Sequence, residues 1–136
     1  MIQSTEDFRS LLKAARRAGT PLLAIRTADP ASAMTQACSS LCGKDDVPVF
    51  AWDIMGGIIG RNRVAKEAAS HVFGERAAIA GPADALLALQ KGAAVKHFAD
   101  AIVFFINPQR MWEQVDIVQG IWNLRDLFKV GGQMLI

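Results

Sequence analysis

The sequence predicts an α/β fold, a three-layer αβα sandwich around a mostly parallel sheet, and three observations carry that expectation. The first is the run Ala101-Ile102-Val103-Phe104-Phe105-Ile106, six apolar residues without interruption, followed by the turn signal Asn107-Pro108. A short unbroken apolar run rich in β-branched and aromatic side chains fits a strand buried on both faces, as in the middle of a parallel sheet. The second is a set of amphipathic helical patterns on either side of that run, which a doubly covered sheet requires. The third is the alternation of strand and helix patterns with short connections, the sign of βαβ units.

Taken in order, Ser4 is a suitable N-cap, with Asp7 three residues on as a variant of the capping box. Phe8, Leu11, Leu12, Ala15 and Ala18 then recur at helical spacing, and Gly19 supplies a C′ stop. Arg9, Lys13, Arg16 and Arg17 lie on the other side of this helix. Such a stripe is a candidate nucleic-acid contact. A solvated face, with Arg16 and Arg17 next to the negative end of the helix dipole, is the simpler reading.

Pro21 introduces Leu22-Leu23-Ala24-Ile25-Arg26-Thr27, a strand candidate. Asp29-Pro30 follows as N-cap and N1 of a helix whose apolar stripe is Met34, Ala37, Cys38 and Leu41, with Gly43 as its end. Cys38 and Cys42 share a helical spacing but have no further ligands nearby, so they read as small packed residues and not as a metal site. Val47 to Asp53 forms the next strand candidate. The glycines of Ile54-Met55-Gly56-Gly57-Ile58-Ile59-Gly60 permit a tight bend or a close backbone approach, but are not spaced as a phosphate fingerprint.

Asn62 is placed to cap a helix through Val64, Ala65, Ala68, Ala69, Val72 and Phe73. His71 within it has no nucleophile beside it in the sequence, and His97 has no evident partner. Gly81-Pro82 opens a helix from Ala83 to Lys91, with Leu86, Leu87 and Leu89 apolar and Gly92 as its stop. After the central strand, the pattern Met111, Trp112, Val115, Val118, Ile121, Trp122, Leu124, Phe128 predicts a long amphipathic helix, its tryptophans in the core or an interface. A last strand begins near Gln133.

Composition narrows the function classes. The chain has 136 residues, a formal charge of +2, 51% hydrophobic and 21% charged residues. That fits one domain spanning 1–136 with its own core, and the small net charge gives no reason to expect a membrane or nucleic-acid partner. The acidic start, Met1-Ile2-Gln3-Ser4-Thr5-Glu6-Asp7, lacks the order of a secretory signal, no apolar run is long enough to span a bilayer, and two cysteines make no disulfide framework. The expected location is the cytosol. Because Met134-Leu135-Ile136 ends in an apolar run, the chain is expected to be the amino-terminal part of a longer protein, with exposed apolar surface there that could pair edge to edge.

Strand ends at Thr27, Asp53 and Asn107 would meet at one edge of the sheet, where such folds place their chemistry. A phosphate-binding enzyme would need G-x-x-x-x-G-K-[ST] after the first strand. The turn reads Thr27-Ala28-Asp29-Pro30-Ala31-Ser32-Ala33, with no glycine, no lysine and a carboxylate that would repel phosphate. Asn107 stands where a magnesium-binding acid would be expected, and no Ser-His-Asp or Cys-His signature occurs. No catalytic, cofactor-binding or metal-ligating set emerges. Thr27, Asp53 and Asn107 remain as a candidate surface edge.

Four blocks carry a resemblance: Trp52-Asp53-Ile54-Met55-Gly56-Gly57-Ile58, Pro82-Ala83-Asp84-Ala85-Leu86, Ala101 to Asn107, and Ile121-Trp122-Asn123-Leu124-Arg125-Asp126-Leu127-Phe128-Lys129. In this order, over nearly the whole chain, they resemble the amino-terminal part of a group of AAA-type ATPases from bacteria and their phages, in which a degenerate P-loop-like domain precedes the ATPase module. The last block is the most specific. The resemblance implies a RecA/P-loop-like core without Walker motifs, with ATP and Mg bound in a module this chain does not contain. None of the family's nucleotide-binding residues can be carried over. It implies an assembly, regulatory or substrate-docking role, with protein partners: a second copy or the AAA module itself. Two other readings stand beside it. One is a small stand-alone enzyme using the edge near Asp53 and Asn107. The other is a nucleic-acid binder using Arg9, Lys13, Arg16 and Arg17.

Overall fold

A computed structural model describes residues 5–41, 47–73 and 81–136. Its centre is a four-stranded sheet built from β1 (Val49–Asp53), β2 (Gly57–Gly60), β3 (Ile102–Phe105) and β4 (Met134–Leu135), in the order β2-β1-β3-β4. β1–β3 and β3–β4 are parallel, and β2 returns antiparallel to β1 as an edge hairpin. Five helices cover it: α1 (Thr5–Arg17), α2 (Pro30–Leu41), α3 (Arg63–Phe73), α4 (Pro82–Gly92) and α5 (Val115–Gly131).

The period-2 alternation of the strands sorts their side chains into two cores, which makes the fold three-layered. Phe50, Trp52, Val103, Phe105 and Leu135 face α3, α4 and α5. Val49, Ala51, Ile102 and Phe104 face α1 and α2, where Leu12 and Ala37 are buried. Trp52 and Phe105 are register partners across β1 and β3, and their rings stack with centroids 4.2 Å apart. Every residue of β3 is buried, as its unbroken apolar run requires.

Helix boundaries follow the capping chemistry. Asp29 Oδ1 accepts from Ser32 N–H at 3.1 Å, the N-cap bond of α2. Asn62 Oδ1 accepts from Ala65 N–H at 2.9 Å and caps α3. α1 ends in a Schellman motif: Thr20 N–H bonds Ala15 O, Gly19 N–H bonds Arg16 O, and Gly19 has φ of 72°. The proposed caps at Ser4 and Gly43 lie outside the described residues, as does Cys42. Cys38 packs half-buried against the second core.

Four expectations need correction. Leu22 to Thr27 is not a full strand. Only Leu22 bridges to Leu135, and Leu23 N–H donates to Leu135 O, because β4 offers just two residues to pair with. That short pairing covers the outer edge of β4, so the apolar run at Met134 and Leu135 is buried and not an open edge. The open edge is β2, a strand that sequence reasoning took for a bend. Gly60 allows it to pass close to α3, since a Cβ there would lie 2.9 Å from the Lys66 backbone nitrogen. Finally, the long helix begins at Val115 and not at Met111. Asn107 adopts left-handed φ of 59°, and Pro108–Met111 forms a 3-10 turn first.

Candidate functional site

The candidate edge lies where β1 and β3 end. The two strands are parallel neighbours, and Ile106 N–H donates to Trp52 O at 3.0 Å, which sets Asp53 and Asn107 on adjacent strand ends. Thr27 is exposed and lies five residues after the Leu22 bridge, in the stretch that follows the pairing with β4.

Each of the three polar side chains accepts a local hydrogen bond. Asp53 Oδ1 accepts from Met55 N–H at 2.8 Å and Gly56 N–H at 2.6 Å, so it holds the turn that sends β1 back as β2. Thr27 Oγ1 accepts from Asp29 N–H at 3.1 Å, and Asp29 in turn caps α2. Asn107 Oδ1 accepts from Gln109 Nε2 at 3.3 Å. Among the described residues, no group of three or more His, Cys, Asp or Glu is arranged to hold a metal ion.

The amino terminus of α2 deserves comparison with a phosphate loop, because it follows the first sheet-associated segment. A phosphate would be drawn to the free N–H groups and positive dipole end of such a helix. Here the Asp29 carboxylate already accepts one of those N–H groups and places its own negative charge there. After β1, the chain makes a hairpin where a phosphate-binding fold would enter a helix.

The basic stripe is divided. Arg9, Lys13 and Arg17 are exposed on α1. Arg16 instead reaches across the fold: one guanidinium nitrogen donates to Gly132 O at 3.0 Å and the other to Asp100 O. Gly132 O lies at the carboxyl end of α5, where the dipole favours a cation. Gly132, with φ of 75°, leaves no room for a side chain, because a Cβ would run into Asp100.

Residues 5–136 match the family model described as SpoVK-like AAA ATPase, N-terminal domain. The chain belongs to that family. No curated protein and no solved structure matches it significantly. In this AAA N-terminal domain, no helix among the described residues is long and apolar enough to cross a membrane.

One feature of the domain carried no sequence signal. The rings of His71 on α3 and His97, both exposed, stack with centroids 4.1 Å apart and 8° between planes. The outer side of α5 exposes Val115, Val118 and Trp122, all part of the predicted amphipathic pattern, with Trp122 expected in the core or an interface. Trp52 is the tryptophan that is fully buried.

Proposed function

We propose that this domain is a non-catalytic docking and assembly module of an AAA-type ATP-binding protein, with ATP and Mg bound in a separate ATPase module. Its membership of an AAA N-terminal family supports that reading. The observation that carries it furthest is Asp29, which fills the helix start where a phosphate would sit. The edge at Asp53 adds support, since that side chain is engaged in holding a turn. Among the described residues no reactive groups converge, and on this reading the domain's contribution lies in what its surface binds.

Calorimetric titration of the chain with Mg-ATP tests this. At ~1 mM nucleotide, a ligand held by about 4 kcal/mol half-saturates its site. The expected result is no saturable heat and no change in melting temperature. A stoichiometric binding curve would refute the proposal and return attention to the α2 amino terminus as a nucleotide site.

A further inference from the structure

α5 carries two apolar stripes. Ile117, Gly120, Leu124 and Phe128 face the core and are buried. A Cβ on Gly120 would stand 2.9 Å from Leu86 Cδ1, so α5 and α4 are in close contact on that side. The opposite side presents Val115, Val118 and Trp122, spaced three and four apart and 82%, 45% and 56% exposed as residues. Trp112, in the turn that leads into α5, is 51% exposed. A helix whose apolar residues continue around its outer side is built to be covered there too.

The charges bordering this outer stripe are unlike at its two ends. Glu113 stands just before Val115, and Arg125 stands one turn after Trp122 with its guanidinium 4.3 Å from the indole centroid. Arg125 also pairs with Asp126 at 3.3 Å, but those side chains are 46% and 83% exposed, so that pair is weak and easily exchanged. An apolar centre with an acid at one end and a base at the other is complementary to itself when turned end for end. That is the requirement for an isologous two-fold interface.

We propose that the outer face of α5 is a homodimer interface, in which a second copy of this chain packs antiparallel about a two-fold axis near Val118. In that arrangement Trp122 of each copy lies over Val115 of the other. The same turn sets Arg125 across from Glu113, twice. The seam has the three-four spacing of helices that pack side by side. One helix pair is a small interface, so the dimer forms at roughly 10–100 µM protein. The inference deepens the docking reading above by naming the partner as a second copy.

Sedimentation of the chain over about 5–500 µM reads the outcome directly. The expected result is a concentration-dependent monomer–dimer equilibrium. Trp122→Glu, with an unchanged circular dichroism spectrum and melting temperature, abolishes the dimer, and Val118→Lys serves as a second disruptive variant. Glu113→Arg and Arg125→Glu each weaken association about tenfold or more. An equimolar mixture of those two variants restores it, because every acid then meets a base across the axis. A chain monomeric throughout the range, a dimer indifferent to Trp122→Glu, or a mixture no tighter than either single variant would each overturn the proposal. Nucleotide plays no part in this measurement. A strict monomer leaves the docking reading standing, whereas Mg-ATP binding would refute that reading without touching the dimer.

Discussion

Phe98→Ala is expected to cost about 3–5 kcal/mol, the range for emptying a buried phenylalanine site. Phe98 is fully buried on the 3-10 turn Lys96–Phe98, between α4 and β3. Its ring meets Phe50 of β1 at 5.5 Å, Phe73 of α3 at 5.9 Å and Phe128 of α5 at 5.9 Å between centroids. Three separate elements therefore converge on one side chain, and none can move in to fill the space without losing another contact. For a chain of this length the loss corresponds to a melting temperature lower by roughly 10–20 °C. Phe98→Leu, which keeps most of the volume, should cost well under half as much. A thermal or denaturant unfolding curve for Phe98→Ala shifted by less than about 1 kcal/mol would show that the cluster closes over the gap, contrary to the packing argument.

Asn62→Ala is expected to cost about 2–4 kcal/mol, an effect far larger than the loss of an ordinary cap. Asn62 Oδ1 accepts from Ala65 N–H at the start of α3 and also from Val49 N–H, at 2.9 and 3.2 Å. Its Nδ2 donates to Val47 O at 2.7 Å. One side chain thus satisfies a helix terminus and two main-chain groups where the chain enters β1. Removal leaves part-buried polar groups unpaired, which is costlier than never having made the bonds. Asn62→Asp discriminates between the tasks. It keeps the cap and the acceptor but loses the donor to Val47, so it should recover about half of the stability by urea denaturation. Equal destabilisation by the two variants would mean that the cap contributes nothing.

These two residues also show what the sequence makes legible. Asn62 and Asp29 could be identified as caps because capping is local: a polar side chain three residues before a helical N–H is written in the order of the residues. β3 was equally plain, since complete burial leaves an unbroken apolar run. Phe98 was invisible because its partners come from β1, α3 and α5, and nothing in the segment around His97 marks it as a meeting point. The same holds for Arg16. Its helical position gives a place on a basic stripe, while its bonds go to the far end of the chain. β2 was missed because two isoleucines between glycines have the composition of a bend. Only the hairpin turn held by Asp53 makes them a strand.

At the candidate edge, Asp53 ends β1 and Asn107 follows β3, as the sequence put them. Thr27 was placed by a strand assigned to Leu22 through Thr27, and the structure shortens that strand: β4 has two residues, and the pairing with it reaches Leu23. For the exposed stripe on α5, the sequence left core and interface as alternatives. Helical periodicity reports that a side is apolar, but it cannot say whether the covering surface belongs to the same molecule.

The contact between Arg16 and Gly132 joins residues 116 positions apart. At about 5–20 residues per second, a ribosome making this chain completes α1 roughly 6–23 s before it supplies that partner. The tie between α1 and the end of α5 is therefore a late event of synthesis, although the strands that α1 and α2 pack on, β1 and β3, are made well before it. Chains stalled before Gly132 should be cleaved in α1 by a protease that spares longer nascent chains in which residues 5–136 have all left the ribosome. Equal resistance in the two would show that α1 docks without waiting for that contact.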